Sequence, residues 1–117
     1  MSKYASSPIL HITTETAWQA AQSTGEYRAD SLESEGFIHC STLEQVIATA
    51  NRYYAGRRDL VLLWIDPHAL AADLRWEEAH GERYPHLYGA LNLDAVFRVT
   101  PFHPDPDGTF RSLPPNT

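Results

Sequence analysis

The run Leu60-Val61-Leu62-Leu63-Trp64-Ile65 is apolar at six consecutive positions, so both faces of a strand built from it would be buried. It predicts a central strand, which Asp66-Pro67 then breaks. The other elements follow from weaker patterns. A strand is expected over about 8–13, with Thr13 or Thr14 capping a helix whose apolar side is Ala17, Trp18 and Ala21. Gly25 is a natural stop for that helix. The stretch Glu26 to Glu35 has no apolar period and reads as a long polar loop. Phe37-Ile38-His39-Cys40-Ser41 reads as a second strand, and Ser41-Thr42-Leu43-Glu44 spells a capping box. Leu43, Val46, Ile47 and Ala50 recur at helical spacing, predicting a helix from Thr42 to Tyr54 that ends at Gly56. A brief helical turn from His68 to Ala71, a strand near Leu74 to Glu77 and a last strand from Ala95 to Phe102 complete the list. Between them, His80 to Arg83 reads as a polar loop and Tyr84 to Gly89 as an aromatic turn.

The order is β, α, β, α, β, β, β, which predicts a single α+β domain rather than a βαβ alternation. The compact core is expected over about 8–103. Residues 1–7 are expected to be frayed, and the proline-rich segment 104–117 to be an extended tail. One cysteine cannot form an intrachain disulfide and suits a reducing compartment, and no secretory signal opens the chain. A cytoplasmic protein without membrane association is the expectation. Nine Lys and Arg against fifteen Asp and Glu argue against duplex nucleic acid as partner, while leaving room for a local basic pocket that takes one nucleotide. No protein partner can be read from the sequence.

The candidate chemistry lies in two histidine–hydroxyl pairs. Alternation puts His11 with Thr13 on one face of the first strand and His39 with Ser41 on one face of the second. Facing each other, the four side chains would form one polar floor. The capping box competes for Ser41. No metal site is expected, because metal-binding spacings such as HExxH, HxH and CxxC are missing. Cys40, between apolar neighbours, reads as a small core residue rather than a nucleophile. Glu77 and Glu78 are consecutive on a strand, so one faces each side. His86 and Tyr88 alternate, so an extended segment would put both on one face, with a packed aromatic turn as the other reading.

Leu10-His11-Ile12-Thr13, Gly25-Glu26-Tyr27, Glu35-Gly36-Phe37-Ile38-His39-Cys40-Ser41, Gln45-Val46 and Pro85-His86-Leu87-Tyr88-Gly89 together resemble a family of short bacterial proteins catalogued as a domain of unknown function. The likeness covers about residues 8–100. That family is similar in fold to the ADP-ribosyltransferases and, more distantly, to the RNA 2′-phosphotransferases. The resemblance implies a split, mostly antiparallel sheet with two main helices and a cleft for NAD. It implies that His11 and Thr13 meet the adenosine-side ribose or a phosphate, and that His39 and Ser41 sit by the nicotinamide ribose. Tyr27 and Arg28 would cover the dinucleotide. His39, Glu78 and His86 are the catalytic candidates; His11, Thr13, Tyr27, Arg28, His39, Ser41 and Tyr88 are the binding candidates. The third superfamily position falls to Glu77, Glu78, His86 or Tyr88.

Two functions follow. One is an enzyme that transfers or processes ADP-ribose from NAD or an ADP-ribosylated substrate. The other is a nucleotide or small-ligand binding module that has lost the chemistry.

Overall fold

The apolar run does form the central strand of a sheet. In the computed structural model, which describes residues 7–113, β1 (Ile9–Thr14), β4 (Leu60–Ile65) and β8 (Val96–Phe102) form a sheet of order β1-β4-β8. A second sheet runs β3-β6-β5, from β3 (Ile38–His39), β5 (Asp73–Ala79) and β6 (Glu82–Tyr88). A small ribbon pairs β2 (Glu26–Tyr27) with β7 (Leu91–Asn92). Every pairing among the described residues is antiparallel. Three helices, α1 (Glu15–Thr24), α2 (Asp30–Ser34) and α3 (Val46–Tyr53), complete the domain with short 3-10 turns at Pro67–Ala69 and Leu93–Ala95. It is a single α+β domain, as expected.

The two larger sheets meet at one point. Leu10 and Ser41 exchange backbone bonds, Leu10 N to Ser41 O at 2.7 Å and Ser41 N to Leu10 O at 2.8 Å. On its other edge the same strand gives Cys40 N–H to Pro85 O at 3.1 Å. Pro85 has no N–H to return, so the ladder between β3 and β6 loses its reciprocal bond there. Proline is rare in a strand paired on both sides, and the aromatic turn expected over Tyr84 to Gly89 does not form. The segment Tyr84–Tyr88 is instead the middle of a sheet. Gly89, which follows, packs so closely that a Cβ there would lie 2.7 Å from Ala72 Cβ.

Packing uses both faces of β4. On one side Ile9, Val61, Leu63 and Ile65 join Ala21 of α1 and, from the second sheet, Ile38, Cys40 and Leu87. On the other, Leu10, Ile12, Leu60, Leu62 and Trp64 meet Val46 and Ala50 of α3.

Several local expectations change. Thr14 caps α1, accepting from Ala17 N at 3.0 Å, and Gly25 ends it in the left-handed conformation at φ 92°. The capping box does not form, and α3 starts at Val46 rather than Thr42. An N-cap carbonyl must accept the first helical bond, whereas the Ser41 carbonyl is taken by Leu10. Gln45 takes over locally: its Oε1 accepts from Thr42 N at 3.0 Å, and its Nε2 donates to Arg83 O at 2.7 Å. The loop expected over 26–35 contains β2 and α2, and the polar loop at 80–83 shrinks to the turn at His80-Gly81.

The segment after Pro104 is not an extended tail over its described part. Asn51 binds the Phe110 backbone twice, donating to its carbonyl at 2.8 Å and accepting its N–H at 2.7 Å. Phe110 is buried and stacks on Phe102 with ring centroids 4.6 Å apart. Residues 114–117, and all of the expected frayed start except Ser7, lie outside the described residues. Emptying the Phe110 site should therefore behave as a core truncation. Phe110→Ala is expected to lower unfolding stability by about 3–4 kcal/mol in urea titration, and an unchanged midpoint would contradict the docking of this segment.

Candidate functional site

The register at Leu10–Ser41 decides how the two histidine strands face. Residues directly opposite in a sheet share a face, so His11 lies on the Cys40 side while His39 and Ser41 lie on the Leu10 side. The four expected side chains therefore do not make one flat floor. They surround the fork at which β1 and β3 part.

His11 fills that fork. Cys40 bonds toward β6, so the backbone groups of His39 point the other way, toward β1. With the strands parted, the His39 carbonyl meets the His11 imidazole instead, at 2.6 Å from Nδ1. A carbonyl only accepts, so Nδ1 carries the proton and Nε2 carries the lone pair. Tyr27 Oη, 2.8 Å from Nε2, donates to it, and Thr13 Oγ1 lies 2.9 Å from the same phenol oxygen. The chain Thr13–Tyr27–His11–His39 is thus internally satisfied. Burial pushes the His11 pKa down to about 4, opposed by its backbone hydrogen bond, and pushes Tyr27 up to about 12. Cys40, likewise sealed by burial, is pushed up to about 12 and carries no reactive thiolate.

A cleft of about 940 Å³ opens beside this fork. His11, Thr13, Tyr27, Arg28, His39, Ser41, Glu78 and His86 border it, and Tyr88 does not. The roles within it are unequal. Tyr27 is only 4 % exposed, so its ring is not free to stack on a ligand. Ser41 is buried, with Oγ donating to Thr49 Oγ1 of α3 at 3.3 Å. Arg28 is solvent-exposed and paired with Glu26 at 3.1 Å. The His39 side chain is half exposed and bonded through Nε2 to Glu35 at 3.1 Å.

On the second sheet His39 and His86 are direct partners and share a face, their rings 5.4 Å apart edge to face. Phe37 lies against both, stacked on His86 at 4.2 Å and tilted to His39 at 4.8 Å. Glu77 belongs to this face. Its Oε1 accepts from His86 Nδ1 at 2.8 Å and from the Tyr88 hydroxyl at 2.7 Å. Those two bonds, Tyr88 first, hold the Glu77 carboxyl below its ordinary pKa. The Arg75 guanidinium sits 4.2 Å over the Tyr88 ring. Glu78, one residue on, alternates to the other face and meets the cleft only from the end of the β5–β6 hairpin. Of the four alternatives for the third position, Glu77, His86 and Tyr88 come together and Glu78 does not join them.

Sequence reasoning missed Glu35, Phe37, Arg52, Tyr53 and Arg57 as cleft residues. Glu35 and Phe37 stand inside the Glu35–Ser41 motif, which was the available signal. Arg52, Tyr53 and Arg57 come from the end of α3 and the loop after it, where nothing in the spacing marks them. At the exposed rim Tyr53 Oη and His80 Nε2 lie 3.0 Å apart, linking α3 to the β5–β6 hairpin. His80 holds a positive φ of 53° in that hairpin turn.

The family model described as "Protein of unknown function (DUF952)" matches residues 12–99. Among solved structures, the crystal structure of protein CC0527 from Caulobacter crescentus has a TM-score of 0.82 at 35% identity, covering 89% of this chain and 93% of that one. The solution structure of the same protein gives 0.77 at 35% identity, covering 88% and 90%. No curated protein matches the chain.

The depressed His11 pKa sets a pH dependence. The unfolded chain binds a proton on this histidine below about pH 6.5, while the folded chain resists until about 4. The unfolded state thus holds more protons in that window, so this contribution is complete above 6.5 and is lost as the pH falls toward 4. Its size is about 3 kcal/mol. Urea denaturation of wild type and His11→Gln at pH 7, 6, 5 and 4.5 should show a steeper acid loss in the wild type. Parallel curves would contradict the buried neutral imidazole.

Proposed function

The chain belongs to the DUF952 family, and from its cleft we propose that it binds an ADP-ribose-containing nucleotide such as NAD, with transfer or processing of the ADP-ribose group as its chemistry. The observation that carries this reading is the set of arginines on the cleft walls. The chain has a net charge of −6, yet Arg28, Arg52 and Arg57 all border one cavity. Arg28 and Arg57 are paired with Glu26 and Asp59, while the Arg52 side chain has no hydrogen bond or ion pair among the described residues. Guanidinium groups suit a pyrophosphate because their paired donors match its oxygens.

Further support comes from the cavity's size and mixed lining. About 940 Å³ suits a nucleotide-sized ligand. Tyr53, 60 % exposed, supplies an aromatic face for a base or a nicotinamide ring. His39 and Glu35 offer polar groups for ribose hydroxyls, and the Glu35 carboxylate suits the positive charge that develops on a ribosyl carbon when its glycosidic bond breaks. A fold like that of the ADP-ribosyltransferases agrees with the fork between two antiparallel sheets. His11, Thr13 and Tyr27 enter this reading as the frame of the cleft rather than as ligand contacts.

The alternative is a nucleotide-binding module without turnover. It is favoured by one observation: the buried hydroxyls and imidazole of Thr13, Ser41, Tyr27 and His11 are already bonded within the protein.

Titration calorimetry with NAD, ADP-ribose and a 2′-phosphorylated dinucleotide tests the shared claim of binding. His39→Ala and Arg52→Ala should each weaken the best ligand at least roughly tenfold, since a hydrogen bond to a charged group is worth about 1.5–3 kcal/mol. Absence of heat with all three at millimolar concentration would remove the nucleotide reading.

A further inference from the structure

Four histidines border the cleft; His80 is tied to Tyr53 at the exposed rim, and hydrogen bonds separate the other three chemically. His11 has both ring nitrogens engaged, so it has no lone pair to offer. His39 is half exposed and held by a single carboxylate. His86 differs from both. Its side chain is nearly buried, one ring face is covered by Phe37, and its Nδ1 is bonded to Glu77 at 2.8 Å.

A carboxylate accepts and does not donate, so Nδ1 of His86 carries the proton and the neutral ring has its lone pair on Nε2. The His86 side chain makes no other hydrogen bond among the described residues. No buried side-chain nitrogen or oxygen among them is both sealed and unpartnered. The unpaired Nε2 is therefore not fully sealed, and the cleft is the space that His86 borders. Glu77 is in turn fixed by Tyr88 Oη at 2.7 Å, with Arg75 over the Tyr88 ring. A base oriented by a third group at the border of a cavity is the arrangement that proton abstraction requires.

The geometry points to His86 as the general base of this cleft, with Glu77 and Tyr88 as its positioning residues, acting on a hydroxyl acceptor (water or an alcohol). This role rests on the nucleotide reading above. With NAD as donor, the hydroxyl oxygen forms a bond to the ribosyl C1′ as the C1′–N bond to nicotinamide breaks. The bonding pair of that C1′–N bond goes to the nicotinamide ring and neutralises its positive charge. The hydroxyl proton passes to His86 Nε2 and then to solvent. The products are nicotinamide, the O-linked ADP-ribosyl product (free ADP-ribose when water is the acceptor) and one proton. A hydroxyl is the acceptor class that needs this help, because it becomes strongly acidic only as its bond to C1′ forms.

The test measures nicotinamide release from NAD in water and in water with added methanol or glycerol, alongside calorimetric affinity for NAD. Wild type is expected to release nicotinamide and to form the alcohol adduct. His86→Ala should bind NAD within a few-fold of wild type and lose at least about a hundredfold in kcat, and added imidazole should restore part of that rate. Glu77→Gln should lower kcat at unchanged KM, which distinguishes positioning from binding. Should His86→Ala fail to fold, His86→Asn and Glu77→Gln carry the same expectation, with circular dichroism reporting the fold. Turnover unaffected in folded His86 variants would overturn the base assignment alone. Binding of NAD by wild type without release in any acceptor would also overturn it, while leaving the nucleotide reading standing. Absence of binding would overturn both.

Discussion

Everything distinctive about this molecule depends on a four-residue segment, β3 and the two residues after it, that has to serve two sheets. From Ile38 to Ser41 the backbone faces β6 with one set of groups and β1 with the other. Pro85 withholds one bond on the first side, and the parting of the strands withholds others on the second. Buried backbone groups must be paired, so the His39 carbonyl left over at the fork takes a side-chain donor, His11. The cleft exists because the ladder stops there. A continuous ladder from Leu10–Ser41 onward would close the fork that His11 occupies.

That constraint also explains the unequal legibility of the chain. Leu60–Ile65 and the Val46–Ala50 stripe are governed by burial, which a linear pattern of apolar residues reports directly. The α+β class, the central strand and the main helix followed from it. The two histidine strands were also legible, as strands. Their mutual register was not, because it hangs on one bridge at Leu10–Ser41, and a shift of one residue exchanges the faces. The same bridge took the Ser41 carbonyl away from the capping role that its motif advertised. Pro85 is unusual in its own right: proline is expected at sheet edges, and here it sits in a central strand with its missing donor opposite Cys40.

Site residues divided along the same line. The histidines His11, His39 and His86, with Thr13 and Ser41, stood out as alternating polar positions on apolar strands. Glu77 could not be separated from Glu78 by spacing, and only the pairing Glu77–Tyr84 turned it toward His86. Arg52, Tyr53 and Arg57 look like any polar end of a helix, and they matter only because α3 lies where its C-terminal end meets the cleft. The aromatic–imidazole layer of Phe37, His39 and His86 arises from two strands and a preceding turn, a juxtaposition that no single segment encodes.

The Tyr53–His80 contact at the rim has an energetic consequence for entry. It joins an exposed helix end to an exposed hairpin turn, and it is a single hydrogen bond between groups open to water. Such a bond contributes a net of about 0.5–1.5 kcal/mol. The walls deeper in the cleft are held by buried networks and sheet ladders, which resist deformation far more strongly. Adjustment to an incoming molecule is therefore concentrated at the rim, where thermal motion alone breaks the tie often. The interior keeps its shape while its doorway breathes.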